Sequence, residues 1–252
     1  MGSEPFEGFF MNDMVWAVLP ARYASTRFPR KMLADVKGKP LIQRTWEQVK
    51  KAERIQRVTI ATDHPEIFAA ARSFGAEVVM TDPALPSGTD RIAVVTQGQE
   101  EGWILNVQGD EPLIQPEVLD HFISSLDQAV APMATLARKM GASEDVTNPN
   151  VVKVVMDGQG KALYFSRSPI PFNRDGDAGV DTWHHLGIYA YKPQTLQQLV
   201  QWAPSSLELA EKLEQLRALQ NGVAIQVIAT SVESIGVDSP DDLEKVIQLM
   251  ND

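Results

Sequence analysis

The residues best suited to chemistry gather in one basic loop. Between Arg22 and Arg44 lie seven basic residues, Arg22, Arg27, Arg30, Lys31, Lys37, Lys39 and Arg44, opposed by Asp35 alone. An even spread of basic residues would put about 2 in that window. Arginine forks match phosphate oxygens, and a lysine adds a point charge. The loop follows the apolar run 14–19, so its backbone N–H groups and hydroxyls could also cradle a phosphate. It is no Walker A loop, because the glycines and the Gly-Lys-Ser/Thr ending are missing. On charge count alone, a small polyanionic ligand and a solvated basic face explain it equally well.

The elements that must position this loop can be read from hydrophobic pattern. Run 14–19 reads as a buried strand stopped by Pro20. Helix 41–51 opens at Pro40. Strand 58–62, helix 66–74 closed by Gly75, strand 77–80, helix 90–97 and strand 104–107 follow. This alternation predicts an α/β fold with a mostly parallel sheet and helices on both faces, whose ligands bind beyond the carboxyl ends of the strands. Asp63-His64-Pro65 and Gln108-Gly109-Asp110-Glu111-Pro112 fall at such ends. The second half departs from the pattern. Runs 133–137, 151–155, 162–165 and 186–191 read as strands with little helix between them. They predict a mixed or antiparallel extension that walls the site. Helix 207–219, strand 224–229 and helix 240–250 complete the chain. Residues 1–12 are set aside as an N-terminal extension, and 13–252 read as one domain.

The whole chain sets bounds. Its 252 residues carry a net charge of −10, which argues against a nucleic-acid partner. With 0 cysteines, disulfides and cysteine nucleophiles are excluded. No apolar run is long enough for membrane insertion, and the start does not read as a secretory signal, so a cytoplasmic location is expected. The one Gly-x-Gly, Gly158-Gln159-Gly160, lacks the third glycine of a dinucleotide fingerprint.

A specific resemblance runs from about residue 15 to the C-terminus. Leu19-Pro20-Ala21-Arg22-Tyr23-Ala24-Ser25-Thr26-Arg27 resembles the opening signature of the CMP-Kdo synthetases, which transfer CMP from CTP to the acidic sugar Kdo (3-deoxy-manno-octulosonate). Ala61-Thr62-Asp63, Ser87-Gly88-Thr89-Asp90-Arg91, Asn106-Val107-Gln108-Gly109-Asp110-Glu111-Pro112 and Met133-Ala134-Thr135-Leu136 are similar to that family in the same order. So are Asn148-Pro149-Asn150-Val151-Val152-Lys153, Ala162-Leu163-Tyr164-Phe165-Ser166-Arg167, His185-Leu186-Gly187-Ile188-Tyr189, Lys212-Leu213-Glu214-Gln215-Leu216-Arg217 and Val237-Asp238-Ser239-Pro240.

The resemblance implies a Rossmann-like nucleotidyltransferase fold, magnesium as cofactor, CTP and Kdo as substrates for lipopolysaccharide synthesis, and a homodimer. Arg22, Ser25, Ala61, Thr62, Asp63, Ser87, Gly88 and Gln108 would hold the nucleotide. Asp110 and Asp238 would hold the metal, with Lys31 and Asp110 catalytic. Arg167, His185, Tyr189, Glu214 and Gln215 would hold the sugar. Without the resemblance, Asp238 before Ser-Pro reads as a turn or capping residue, and Glu214 and Gln215 as a solvated helix face. One departure stands out: the family's Pro-Gly-Lys-Pro is Pro29-Arg30-Lys31-Met32 here, closer to sialic-acid cytidylyltransferases. Another acidic sugar, 8-amino-Kdo or sialic acid, is therefore the alternative acceptor. A non-catalytic nucleotide-binding regulator is the alternative function.

Overall fold

The computed structural model describes residues 14–24, 28–175, 179–232 and 235–250. Ser25 and the 1–12 extension lie outside them. Strand β1 (Val15–Ala21) is buried along its whole length. It pairs in parallel with β4 (Arg57–Thr62) and β6 (Trp103–Asn106), and β4 with β5 (Glu77–Met80). Burial on both faces explains why β1 reads as a continuous apolar run. Helices α1 (Leu41–Val49), α2 (Pro65–Ser73) and α3 (Gly88–Val95) alternate with these strands, as the pattern predicts. Leu41 and Ile42 of α1 are fully buried, each contributing roughly 1.5–3 kcal/mol.

The expected extension is present and mixed. Strand β7 (Met133–Lys139) and β10 (Trp183–Tyr191) pair antiparallel, β10 pairs antiparallel with β6, and β11 (Ile225–Thr230) runs parallel to β7. Among the described residues the main sheet is ordered β11-β7-β10-β6-β1-β4-β5. A hairpin of β8 (Lys153–Met156) and β9 (Ala162–Ser166) joins β10 at its start. Antiparallel β10 thus carries its residues into the edge where the parallel strands end.

Four local differences from the sequence reading matter. The 21–40 loop contains a short 3-10 turn, Lys31–Leu33, and a two-residue ladder of β2 (Asp35–Val36) with β3 (Lys39–Pro40). Helices α4 (Pro116–Leu126) and α5 (Pro193–Leu199) are additional to the predicted set, each opening on a proline in its first turn. The predicted helix 207–219 is two, α6 (Ser206–Glu211) and α7 (Gln215–Gln220). Lys212 breaks it in the left-handed conformation, φ 54. Finally, α8 (Pro240–Leu249) starts on a capping box made by Ser239 and Asp242. No helix among the described residues is long and apolar enough to cross a membrane.

Candidate active site

The basic loop reverses at Arg30, whose φ of 58 is left-handed, and the turn that follows buries Lys31. Lys31 is 7% exposed, and its ammonium donates to Asp110 Oδ2 at 2.5 Å and to Asp238 Oδ1 at 3.3 Å. Asp110 stands in the loop after β6, Asp238 just before α8. The Val237 N–H donates to the Asp110 carbonyl at 2.9 Å and clamps the two segments together. Capping of α8 falls to Ser239 and Asp242, and the Asp238 carboxylate faces Lys31 instead. The turn-or-cap reading of Asp238 therefore gives way.

Gly109 lets the loop seat this closely. A Cβ there would lie 2.8 Å from Ile42 Cδ1 and 3.2 Å from both Met32 Sδ and the Pro20 carbonyl. The Thr45 hydroxyl donates to the Gly109 carbonyl at 2.9 Å and fixes the approach. The result is two carboxylates converging on one cation. Hard oxygen donors in that number suit a magnesium ion completed by phosphate oxygens and water. The Lys31 ammonium occupies the point on which the two carboxylates converge. No cluster of three or more His, Cys, Asp or Glu ligands occurs among the described residues.

A second cation group lies at the end of β4. Asp63 accepts from the Tyr23 N–H at 3.0 Å and from Arg91 at 3.1 Å. Arg91 is fully buried and also donates to the Thr81 hydroxyl, while Thr81 is tied to the Thr62 carbonyl. Burial, with repulsion from Arg22, pulls the Arg91 pKa down, and Asp63 pulls it up. Arg22 is exposed and near enough to repel the Arg91 guanidinium. Ala61 and Thr62 are buried in β4, which is paired on both sides by β1 and β5, so neither side chain is open to a ligand. The Ser87 hydroxyl caps α3, accepting from the Asp90 N–H and donating to the Asp90 carboxylate at 2.6 Å. A Cβ at Gly88 would lie 3.3 Å from the Pro20 ring. Gln108 donates to Asn106 at 3.2 Å and faces a cavity.

That cavity has a volume of about 110 Å³ and a mixed polar and apolar lining that includes Gly88, Gln108, Tyr189, Glu214 and Gln215. The break at Lys212 explains how. Glu214 becomes the N-cap of a new helix and accepts from the Thr89 hydroxyl. Gln215 is 6% exposed, and its Nε2 has no hydrogen-bond partner among the described residues although Gln215 lines the cavity. The solvated-face reading of both residues is thereby corrected, since one continuous helix would not have turned them inward. Arg217, buried behind them, holds Glu208 at 2.5 Å and Glu214 at 3.7 Å.

Strand β10 supplies the wall. Leu186 faces Leu136 and Tyr189 faces Thr135, so one step on β7 spans three on β10. This bulge, at Gly187, re-aims the strand. His185 and Tyr189, four apart in sequence, become neighbours on one face with ring centroids 5.4 Å apart. Tyr191 follows at 5.9 Å. Burial pushes both phenols well up, so they act as neutral donors. Burial, with repulsion from His184, holds His185 down at about 3, so its imidazole is neutral.

Arg167 is placed differently. Its guanidinium donates to the carbonyls of Glu211 at 2.7 Å, Pro149 at 2.8 Å and Lys212 at 3.3 Å. It ties the end of β9 to the α6–α7 break and is not among the cavity residues. The sequence reading passed over Thr89, Asn106, Met133, Tyr191 and Leu199, which also line the cavity. Four of them had a signal. Thr89, Asn106 and Met133 sit inside quoted motifs, and Tyr191 shares the face of Tyr189 two residues on.

Comparison with known proteins gives the setting. Residues 16–228 match the cytidylyltransferase family. The 3-deoxy-manno-octulosonate cytidylyltransferase of Geobacter sulfurreducens is 46% identical over 245 residues, covering 93% of this chain and 98% of the relative. That of Actinobacillus pleuropneumoniae serotype 5b is 47% identical over 245 residues, covering 92% and 98%. A solved structure of CMP:2-keto-3-deoxy-manno-octonic acid synthetase complexed with CTP superposes with a TM-score of 0.88 at 39% identity, covering 94% of this chain and 98% of that one. HddC from Yersinia pseudotuberculosis shares the fold at a TM-score of 0.65 and 14% identity, over 92% and 97% of the two chains.

Proposed function

Because the chain belongs to the family of 3-deoxy-manno-octulosonate cytidylyltransferases, we propose that it transfers CMP from CTP to the anomeric hydroxyl of Kdo. The hydroxyl oxygen bonds to the α-phosphorus and gives up its proton. The bond from that phosphorus to the bridging oxygen breaks, and pyrophosphate leaves. Such a transfer needs positioning and charge neutralisation more than covalent chemistry by the protein.

The observation that carries this reading is Lys31 between Asp110 and Asp238, at the end of the strands where the basic loop turns. Asp110 and Asp238 would hold magnesium, which when bound supplies charge neutralisation on the triphosphate. With that cation in place, the Lys31 ammonium becomes available to a phosphate oxygen. Arg22 and Arg91 offer further positive charge beside Asp63. On the acceptor side, Tyr189, Glu214 and Gln215 face one small cavity, with His185 next to Tyr189. A phenol, an amide, an imidazole and a carboxylate offer the donors and acceptors that a polyhydroxylated sugar needs. Its product would feed lipopolysaccharide synthesis in the cytoplasm.

The active form would be a homodimer. What supports this is the exposure of large apolar side chains in the second half: Leu163 at 61%, Phe172 at 85% and Val180 at 57%.

The test is pyrophosphate release with CTP, magnesium and Kdo, run beside 8-amino-Kdo and sialic acid. Release with Kdo alone is expected. Release with another sugar instead would keep the mechanism and replace the acceptor. Silence with all three, despite CTP binding, would overturn the enzyme reading in favour of a regulator.

A further inference from the structure

Of the motif Met133-Ala134-Thr135-Leu136, Met133 lines the cavity, and Thr135 stands beside it under the β10 wall. It is fully buried in β7, opposite the β10 bulge. Its Oγ1 lies 2.8 Å from the Ile188 carbonyl, 3.1 Å from the Leu186 carbonyl and 3.1 Å from His185 Nε2. A hydroxyl has one proton to give. Both carbonyls can only accept. Were the proton given to Nε2, two carbonyl oxygens would press on the lone pairs of Oγ1 in a buried place with nothing to relieve them. The low-energy arrangement sends the proton to a carbonyl, Ile188 being nearer, and turns a lone pair to the ring. Nε2 must then carry the hydrogen.

We propose that Thr135 is a positioning residue that locks neutral His185 in the Nε2–H tautomer, leaving Nδ1 as a hydrogen-bond acceptor for a hydroxyl of the bound sugar. The ring is braced for this. Phe165 meets it edge-on at 5.0 Å and Tyr189 lies at 5.4 Å, so it cannot easily flip. Among the described residues Nδ1 has no hydrogen-bond partner, and it is not among the sealed polar atoms. A ring nitrogen's tautomer is set by the bond its other nitrogen makes. Here the bulge serves two ends. It makes His185 a neighbour of Tyr189, and it presents the carbonyls that consume the Thr135 proton. The inference rests on the acceptor-site reading of His185.

The experiment uses the full-length protein with 15N-labelled histidine and long-range proton–nitrogen correlation of the rings. The chain has 4 histidines, and loss of one signal set in His185→Gln assigns the residue. Wild type should show a neutral ring with hydrogen on Nε2. Thr135→Val should shift the ring toward the Nδ1–H form and raise the KM for the acceptor about tenfold, with the KM for CTP little changed. Thr135→Ser, which keeps the hydroxyl, should restore both. Hydrogen on Nδ1 in wild type overturns the proposal even if Thr135→Val does not fold. So does an unchanged tautomer in a folded Thr135→Val. A tautomer that shifts while the acceptor KM stays put upholds the lock and overturns the acceptor-site reading of His185.

Discussion

The ammonium of Lys31 lies 2.5 Å from the carboxylate of Asp110, with Asp238 at 3.3 Å on the same nitrogen. One buried cation thus holds two carboxylates that would otherwise repel. A divalent cation entering between them must displace it. Lys31→Met should therefore bind Mn2+ about tenfold more tightly without nucleotide, because nothing competes for the carboxylates. Turnover should still fall about 10²–10³-fold, as expected when a preorganised cation is removed from a transferring phosphoryl group. Paramagnetic relaxation of water reads the first quantity and pyrophosphate release the second. Weaker Mn2+ binding in the variant would sink the displacement argument. Asp110→Asn should lose both metal binding and turnover while keeping its fold.

Gly109 is the point where backbone must approach backbone. In Gly109→Ala the new Cβ meets Ile42 Cδ1 at 2.8 Å and the Pro20 carbonyl at 3.2 Å. The Ile42 end can rotate; the carbonyl cannot. Relief requires the loop to lift, carrying Asp110 with it. Stability should drop by about 1–3 kcal/mol, and kcat about 10²-fold from misplacement alone. Urea denaturation and steady-state kinetics on one preparation separate the two losses. Full activity would mean that the carboxylate position tolerates the lift.

Much of this was legible in the sequence, for a physical reason. Parallel strands buried on both faces read as unbroken apolar runs, so β1, β4, β5 and β6 could be located, and with them the loops at their ends. The mixed extension was also foreseen. Helices α4 and α5 were not, and three further features of the site were not. The split between α6 and α7 hangs on Lys212 adopting φ 54, and lysine carries no signal for it. The β10 bulge depends on cross-strand register, which no local pattern records. The many backbone contacts of Arg167 come from tertiary packing of the β9 end against α6 and the 148–151 loop. Each of these redirects a candidate side chain, so the site's membership was more legible than its geometry.

Arg30 sits where the family pattern has glycine, and it keeps the left-handed turn, φ 58, that glycine would adopt freely. A side chain in that region costs roughly 1–2 kcal/mol. Arg30 offsets part of this through an ion pair with Glu66 and a guanidinium 5.9 Å from the Tyr23 ring centroid. The pair is exposed, so its worth is about 0–1 kcal/mol. Glycine would relieve the strain but add about 0.4–1 kcal/mol of unfolded-chain entropy. Arg30→Gly should thus change stability by less than about 1 kcal/mol and leave turnover within about twofold. A large loss of activity would show that the guanidinium itself handles substrate.

The neighbouring histidines of β10 should make the fold sensitive to acid. Burial, with repulsion from Arg138, holds His184 down at about 4, and burial with His184 holds His185 at about 3. In the unfolded chain both titrate near 6.5. Above that pH neither state binds the extra protons, and their contribution is fully present. As pH falls below about 6.5 the unfolded chain takes up protons that the folded protein refuses, so stability is lost progressively toward pH 4 and 3. The slope contributed by each histidine approaches about 1.4 kcal/mol per pH unit. Denaturant unfolding at a series of pH values reads it directly. In His185→Gln one histidine's slope should vanish even if the variant is less stable at every pH. An unchanged slope would mean that the imidazole is protonated inside the folded protein, and the neutral-acceptor role of His185 would fall with it.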